Sequence, residues 1–322
     1  MWRFAGKRAL AALLVLFAIS VLVFLIFFAT PGVDPAARIA GRNASQETLA
    51  QVRQSFGLDQ PIWVQYGVMM RHLFIDRDLT SFVNRGAEVI PQVQQAIPVT
   101  LSLVIGAAVI WVILALVMGV LATAYRGTAI DPIIVVLGVI GVSLPVYWLG
   151  EVVNLVTQSR LHDSIFAWVP SLGYVSLSEG FGPWALHLLF PWLTLAVLYA
   201  GIYARVLRSE MVGAMNEDYI RMARAKGIGE WRVLLRHALR TSLIVVVSLF
   251  GLDFGALIGG AALLTEVVFG LQGIGKLTYD SLQNFDLPVI LACVLYAAFF
   301  VVLANFIVDL LYAWLDPRVR HV

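Results

Sequence analysis

Six long apolar runs, separated by polar segments, divide this chain of 322 residues. Each run is long enough for a helix to cross the hydrocarbon core of a bilayer, which takes about 20 residues. The first run exceeds the apolar part of a secretory signal, about 7 to 15 residues, so we expect an uncleaved helix. The predicted spans are Ala9 to Ala29, Val99 to Ala124, Ile133 to Thr157, Trp184 to Arg205, Ser242 to Leu264 and Pro288 to Trp314.

Three prolines bear on the shape of these spans. Pro98 is placed for the first turn of the second helix, where a residue without an N–H group is tolerated. Pro145 and Pro191 fall inside or near the third and fourth spans, and we expect them to kink those helices.

The composition supports an all-α polytopic membrane protein. Sixty per cent of the residues are hydrophobic and 13 per cent are charged, whereas soluble domains average roughly 45 to 50 and 25 per cent. The net charge of +2 is too small to indicate a nucleic-acid partner. Cys293 is the only cysteine, so it can form neither an intrachain disulfide nor a Cys-based metal site, and we predict no metal centre.

The distribution of Lys and Arg predicts the orientation of the spans. One set of polar segments, comprising both termini, the loop with Arg126 and the segment 205–240, carries 14 of the 22 basic residues. The other set carries eight, and only Arg160 and Lys276 of these lie in short loops, where the positive-inside rule applies best. We therefore expect both termini and the segment 205–240 to lie in the cytoplasm.

The long polar segment after the first span is predicted to fold as an extracytoplasmic cap. Ser45 can cap a helix that ends near Gly57 and places Leu49, Val52 and Phe56 on one face. Further apolar positions from Ile62 onward suggest a second helix. We divide the chain into residues 1–97, the first span and the cap, and residues 98–322, a five-helix transmembrane domain.

The most unusual segment, DYIRMARAKGIGEWRVLLRHALR, begins at Asp218 and predicts a basic helix–Gly–helix hairpin. In its first helix, Tyr219, Met222, Ala223 and Lys226 share one face at helical spacing, which predicts a small docking surface. Gly227 stands where a helix end needs a residue that tolerates positive φ.

The second helix of this hairpin is predicted to be amphipathic. Its apolar stripe contains Trp231, Leu234, Leu235 and Ala238, and arginines recur every four residues on the opposite side. From the residues alone, a helix lying on anionic headgroups fits this pattern as well as a helix bound to a partner protein.

Residues 270–277 read GLQGIGKL and resemble the phosphate-binding G-x-x-x-x-G-K sequence until the last position. Leu277 replaces the Ser or Thr that would hold magnesium, and no strand of a parallel sheet precedes the loop. The positive-inside count also places the loop outside the cell, away from ATP. We therefore expect a structural turn between the fifth and sixth spans.

Ionisable residues inside the spans are candidate functional groups, because charge within a bilayer is costly. Asp253 lies near the middle of the fifth span, beside glycines at 251, 255 and 259. These small residues permit close helix packing, or they form a smooth pathway wall that includes Gly255 and Gly259. On the second interpretation, Asp253 favours cargo with an amine or another positive charge.

Two further polar pairs are predicted within the spans. Glu151 and Asn154, three residues apart on the third span, are expected to face the bundle, and Glu151 is a second candidate for the pathway. Asn305 and Asp309 are expected to pair near the cytoplasmic end of the sixth span, close to an arginine of the hairpin.

The hairpin string resembles the coupling loop, often called the EAA loop, of permease subunits of ABC importers for dipeptides, oligopeptides and nickel. Several other strings resemble the first of the two permeases of such importers. They are PGVDP (31–35), FGLDQP (56–61), IPVT (97–100), SLPVYWLG (143–150), EVVF after GG (266–269), DLPV (286–289) and DPRVR (316–320). Asp253 and Glu151 occupy positions that are usually uncharged in that family.

This resemblance implies a type I importer permease with six transmembrane helices in a bacterial inner membrane. The chain would pair with a homologous second permease as a heterodimer, above two cytoplasmic ATPase subunits, and an external binding protein would deliver peptide. ATP and magnesium would bind only to the ATPases, so this chain would have no active site and no cofactor. The ATPase-coupling residues implied within the loop at 208–241 are Tyr219, Met222, Ala223, Arg224, Lys226 and Gly227.

Other functions remain open at this stage. The same architecture can carry nickel chelates, glutathione or another small solute. A secondary transporter would need a coupling-ion site and usually internal repeats, and no convincing repeat relates the two halves. A membrane enzyme would need a paired nucleophile and base or a metal motif within the spans, and none is evident.

Overall fold

The computed structural model describes residues 2–28, 34–40, 44–81, 83–84, 86–159 and 162–315. Positions 31–33 of PGVDP, the whole of DPRVR and Arg160 lie outside these ranges. The described helices are α1 Trp2–Phe28, α2 Pro35–Ala40, α3 Gln46–Phe56, α4 Ile62–Phe74, α5 Val89–Ala124, α6 Ile130–Ser143, α7 Val146–Thr157, α8 Phe181–Ala214, α9 Asp218–Ala225, α10 Glu230–Arg232, α11 Leu239–Ala256, α12 Leu263–Val268, α13 Ile274–Asn284 and α14 Leu287–Leu315.

Five described helices are long and apolar enough to cross a membrane, and the number rises to six when a bent helix pair is counted as one span. The five run over Ala5–Phe28, Val89–Ala124, Phe181–Ala214, Glu230–Ala261 and Leu287–Leu310. In the fourth of them, a π-helical turn at Val233–Ala238 joins α10 to α11, and a second π-helical turn at Leu257–Ala261 follows α11. The all-α polytopic architecture predicted from the sequence is confirmed.

The bent pair consists of α6 and α7, which correspond to the third predicted span and meet at an angle of 95°. Leu144, between them, has φ −92° and ψ 129°, the extended conformation that a following proline imposes. The predicted kink at Pro145 is therefore confirmed. The fourth predicted span differs, because α8 continues through Pro191 without a break.

Helix α5 starts earlier than predicted, at Val89 rather than at Pro98. Val89, Ile90 and Val93 are buried, so burial of their apolar side chains extends the helix toward its N-terminus. Pro98 consequently lies inside the helix, and the prediction that it occupies the first turn is wrong. Helix α5 also crosses the division placed at residue 97, so the cap segment and the bundle share one helix.

The long polar segment after the first span forms the two predicted helices. The Ser45 hydroxyl accepts a hydrogen bond from the Thr48 amide at 3.1 Å at the start of α3, and Gly57 ends that helix with φ +59°. Helix α4 follows, and a two-stranded antiparallel hairpin, β1 Thr80–Ser81 and β2 Ala87–Glu88, leads into α5. The cap helices bury residues such as Val52 and Leu73 in a core shared with parts of α1, α5 and α14.

The larger core lies between α5, α8 and the helix from Glu230 to Ala261. Trp111, Tyr203 and Leu207 are fully buried there. The same core continues to the hairpin, where it includes Ile220 and Val233. The hairpin and the spans are thus packed as one body, which positions the first candidate site.

Candidate functional site: the basic hairpin and the polar groups of the bundle

The hairpin turns at Gly227, as the sequence predicts. Gly227 has φ +75°, and its amide donates to the Arg224 carbonyl at 2.9 Å. The Ile228 amide donates to the Ala223 carbonyl at 3.3 Å, so both ends of the turn satisfy carbonyls at the end of α9. An L-residue at position 227 would be strained, although no neighbouring atom would meet its Cβ within 4 Å.

The inner face of α9 differs from the predicted docking face. Ile220 and Ala223 are buried in the core that also contains Val233 and Leu234 of the returning helix. Tyr219 is half-buried, and its hydroxyl donates to Thr241 Oγ1 at 3.4 Å. The prediction that Tyr219 and Ala223 share an exposed face with Met222 and Lys226 is therefore wrong. The fully buried Ile220 sets the inward side of this short helix.

The returning helix also departs from its predicted stripe. Leu234 and Ala238 are buried as predicted, but Trp231 is 53% exposed and Leu235 is 48% exposed. Val233 is buried in their place. The buried positions differ from the predicted stripe because Val233–Ala238 form a π-helical turn. In such a turn the hydrogen bonds join residues five apart, so that positions five apart share a face.

We call the exposed part of the hairpin the hairpin tip and define it by three exposed apolar residues and four exposed basic residues. The apolar residues are Met222, at 62% exposure, Trp231 and Leu235. The basic residues are Arg221, Lys226, Arg232 and Arg236. An exposed apolar patch rimmed by charge is typical of a protein contact surface.

Arg224, which the resemblance assigns to coupling, instead joins the two arms of the hairpin. Its Nε donates to Glu230 Oε1 at 2.7 Å, and its Nη2 donates to Oε2 at 3.2 Å. This paired geometry holds the turn at a fixed angle more specifically than a single contact would.

A second ion pair fixes the base of the hairpin and was missed from the sequence. Arg208, near the end of α8, donates to both carboxylate oxygens of Asp131 in the first turn of α6, at 2.5 and 2.6 Å. Asp131 is 8% exposed. The available signal was an isolated acid and an isolated base at the ends of two apolar runs. Their pairing depends on tertiary contact, which spacing does not reveal.

The glycines of the fifth predicted span face α14. A Cβ atom at Gly251 would lie 2.5 Å from Val308, one at Gly255 would lie 2.9 Å from the Asn305 side chain, and one at Gly259 would lie 3.3 Å from Val301. The structure therefore supports the close-packing alternative. Gly255 is buried against α14, whereas Gly259 is exposed and lines a cavity, so the predicted pathway wall stays a prediction for Gly259.

Asp253 lies on another side of the same helix. It is partly buried, and the Tyr203 hydroxyl of α8 donates to its Oδ2 at 2.7 Å. The Tyr203 ring lies 5.5 Å from that of Trp111, which stacks on Tyr199 at 4.6 Å and lies 5.2 Å from Phe250. The carboxylate thus borders an aromatic cluster that connects α5, α8 and α11.

The remaining predicted polar residues have other surroundings or partners in the structure than those predicted. Asn154 is buried and donates to the Val268 carbonyl at 2.8 Å, whereas Glu151 is exposed, so the prediction that both face the bundle is wrong for Glu151. Asp309 forms an ion pair with Arg8 of α1, with 2.9 Å between Oδ2 and Nη1, rather than with an arginine of the hairpin. The first and sixth predicted spans are adjacent there, which brings Arg8 closer than the sequence suggested.

The sequence GLQGIGKL forms a turn and the start of α13. The anionic group bound at this turn is a side chain of the same protein, Glu266. Glu266 is fully buried, and its Oε2 accepts a hydrogen bond from the Lys276 amide at 2.9 Å. Its Oε1 accepts a bond from the Thr100 hydroxyl at 2.6 Å, and the Thr100 oxygen accepts one from the Ile274 amide at 2.8 Å. A side-chain carboxylate therefore binds where a phosphate would bind in a nucleotide-binding loop.

Glycine is required in this turn because the carboxylate approaches so closely. A Cβ atom at Gly273 would lie 2.4 Å from the Glu266 carboxylate. Burial raises the pKa of the Glu266 carboxyl to about 7, against the opposing effect of its hydrogen bonds. We term Glu266, Thr100 and the N-terminus of α13 the carboxylate latch, since they join α12, α13 and α5.

The cap brings together three side chains that the sequence does not group as metal ligands. Ligand atoms of His72, Asp76 and Asp78 lie within 4.8 Å of one another. His72 Nδ1 is 2.6 Å from Asp78 Oδ1, and Asp76 accepts from Arg71 Nε at 2.8 Å. Hydrogen bonds within the chain thus account for this group.

Comparison with protein families assigns the chain as a whole. Residues 112–321 match the family described as binding-protein-dependent transport system inner membrane component, and residues 1–104 match the N-terminal domain of such membrane components. The chain belongs to this family of transport permeases. The resemblance noted in the sequence is thereby confirmed.

Named relatives align over nearly their full length. A putative peptide transport system permease protein of Brucella abortus is 38% identical, and the alignment covers 98% of both chains. A probable D,D-dipeptide transport system permease protein of Escherichia coli is 34% identical, with 99% of this chain and 97% of that protein covered. A glutathione transport system permease protein of Salmonella choleraesuis is 37% identical over 100% of both.

This transport permease is thus a multi-pass inner-membrane component of a binding-protein-dependent system. Its family works in general with a substrate-binding protein and with ATPase partners. The hairpin, the Asp253 cluster and the carboxylate latch are therefore parts of a transport permease.

Proposed function

We propose that this permease forms half of the translocation pathway of an ATP-driven importer of di- or oligopeptides delivered by an external binding protein. A homologous but distinct second permease supplies the other half. Two cytoplasmic ATPase subunits bind ATP and magnesium, and this chain binds neither. The relatives named for peptide and dipeptide transport support peptide as the cargo, whereas the relative named for glutathione transport favours glutathione as the second candidate.

The hairpin tip is the observation that carries this proposal. Met222, Trp231 and Leu235 each leave about half or more of their surface exposed on a basic hairpin, at 62%, 53% and 48%. Burial of two or three such side chains in a groove, with arginines at the rim, is how a helix binds a partner protein. Tyr219, Ala223, Arg224 and Gly227 support the tip from within the hairpin.

The structure also provides a rigid path from the tip to the spans. The returning arm continues from Glu230 to Ala261 as one helix, and the other arm follows directly on α8. The Arg224–Glu230 pair and the buried Ile220 hold the arms together. Movement of an ATPase that grips the tip would therefore displace two spans together, as a rigid-body transition requires.

The proposal includes the orientation of the chain in the membrane. With the hairpin in the cytoplasm, the positive-inside count places both termini on the same side. The cap, the loop between α7 and α8 and the segment from α12 to α13 then lie outside, where a binding protein docks. Lipid surrounds the exposed apolar side chains of α1, such as Leu13 and Phe17.

Reconstitution tests this function. A tagged chain is purified with its associated proteins from native membranes and placed in proteoliposomes, with loaded binding protein outside and ATP inside. We expect labelled dipeptide to accumulate only when ATP, magnesium and the binding protein are all present. Accumulation driven by an ion gradient without ATP would contradict the proposal and favour a secondary transporter. Uptake of glutathione but not of dipeptide would change the proposed cargo and leave the proposed ATP-driven import unchanged.

A further inference from the structure

Asp253 is a carboxylate within a membrane span whose charge is not balanced by the described chain. It lies in the helix from Glu230 to Ala261, and none of the ion pairs among the described residues includes it. Its described side-chain hydrogen bond comes from the neutral Tyr203 hydroxyl. An ionised group at this depth is costly unless it faces water or a cation, so its presence within a span points to a functional role.

The surroundings of Asp253 hold the carboxylate in a fixed position. Tyr203 is fully buried, and its ring lies 5.5 Å from the fully buried Trp111. Phe250 and Phe254 stack on each other at 5.2 Å, one turn apart on the helix that carries Asp253. Both phenylalanines are partly exposed, as Asp253 is, so aromatic rings and a carboxylate occur near one another on this helix.

The same helix has an uncovered face next to Asp253, on the side away from the two phenylalanines. Leu252, next to Asp253, is 72% exposed, and Ala256 is exposed one turn further on. The glycines at 251 and 255 face α14 instead. Because a charge facing lipid would be unstable, this face is better suited to a water-filled pathway between two permeases than to the lipid phase.

We propose that Asp253, positioned by Tyr203, binds the ammonium group of cargo during its passage through the membrane. Carboxylate and aromatic faces together are the arrangement that recognises ammonium ions in a poorly hydrated site. Tyr203 is a positioning residue, since its hydroxyl holds one carboxylate oxygen and leaves the other for the ligand. This inference rests on the proposed import function and narrows the cargo to compounds with a free amine, such as peptides with an unblocked N-terminus.

Uptake of matched peptides tests the proposal in the complete transporter. The probes are one labelled tripeptide with a free N-terminus and its N-acetylated form, both preloaded on the binding protein. We expect Asp253→Asn to lower uptake of the free peptide at least about 10-fold more than uptake of the acetylated peptide, since loss of a charged hydrogen-bonding partner costs about 1.4 kcal/mol or more. Asp253→Glu should restore part of the difference, and Glu210→Gln, at an exposed carboxylate on α8, should leave it unchanged.

Equal losses for both peptides in Asp253→Asn would overturn the ammonium site while leaving the importer function intact, because the unmodified complex would still transport peptide with ATP. Failure of the unmodified complex to transport any peptide would instead refute the proposed function. The two failures are therefore distinguishable.

Thiol labelling gives a second test that does not depend on the cargo. Phe254→Cys in the assembled transporter is treated with a cationic and with an anionic methanethiosulfonate of similar size. We expect the cationic reagent to react about 10-fold faster, and the ratio to fall toward one when Asp253→Asn is added. Leu257→Cys, at a fully buried position on the same helix, should react with neither reagent. Absence of reaction at position 254, or equal rates with Asp253 present, would contradict a water-filled cation site.

Discussion

Met222→Glu and Trp231→Glu are each expected to lower ATP-dependent uptake by roughly 30-fold or more, because a central interface residue commonly contributes about 2 kcal/mol or more. Both side chains lie on the exposed tip, so the substitutions leave the hairpin core intact. An added carboxylate would be desolvated in the ATPase groove without a designed partner. Uptake into proteoliposomes and ATPase stimulation by loaded binding protein measure the effect.

The matched control is Asn216→Glu, which adds the same charge at an exposed position before α9 and away from the tip. We expect it to retain uptake within about twofold, since surface substitutions usually have small effects. Membrane insertion and copurification of the second permease should be unchanged in all three variants. If the tip variants still couple ATP hydrolysis to uptake, the hairpin tip is not the ATPase contact.

Glu266→Leu is expected to destabilise the whole subunit. The substitution leaves the Lys276 amide and the Thr100 hydroxyl without their acceptor in a fully buried position. Each unsatisfied buried group costs about 1 to 3 kcal/mol, which corresponds to a fall in Tm of roughly 5 to 10 °C. Thermal unfolding of the purified complex in detergent measures this change.

Two comparisons distinguish the carboxylate latch from a general effect of losing an acid. Glu179→Leu, at an exposed position on the short helix Leu177–Glu179, should change Tm by less than about 2 °C. Gly273→Ala should reproduce much of the Glu266→Leu effect, because its Cβ would lie 2.4 Å from the carboxylate. A Glu266→Leu complex as stable as the unmodified one would show that the latch does not stabilise the fold.

Features encoded locally were predictable from the sequence. Apolar run lengths gave the spans, Ser45 and Gly57 marked both ends of α3, and Pro145 broke the third span because proline restricts the residue before it. Gly227 likewise gave the hairpin turn through its positive φ. Each of these signals depends on the conformational preference of one or two residues.

Side-chain orientation in the hairpin was less predictable. The apolar stripe assumed 3.6 residues per turn, and the π-helical turn from Val233 to Ala238 shifted the buried face by one residue. The inward side of α9 was likewise set by packing of Ile220 against the returning arm. Eight residues of helix with mixed polarity do not determine which face is inside.

Polar partners distant in sequence were not predictable either. Arg208 with Asp131, Arg8 with Asp309 and Thr100 with Glu266 each join groups on different helices. The pairing follows from the order in which the helices pack, which a single sequence does not specify. The resemblance located Glu266 in a shared string, but only the structure shows that its carboxylate occupies the start of α13.

Crosslinking of the hairpin tip in native membranes tests whether the tip lies in the cytoplasm and contacts an ATPase subunit. Met222→Cys is treated with a thiol-to-amine crosslinker, and Leu282→Cys, at an exposed position on α13, serves as the control for the opposite side. We expect Met222→Cys to form a crosslink with a copurifying ATPase subunit and to resist a membrane-impermeant thiol reagent added outside intact cells, whereas Leu282→Cys should react with that reagent. Labelling of Met222→Cys from outside, or the absence of an ATPase adduct in an assembled, transport-active complex, would contradict this expectation.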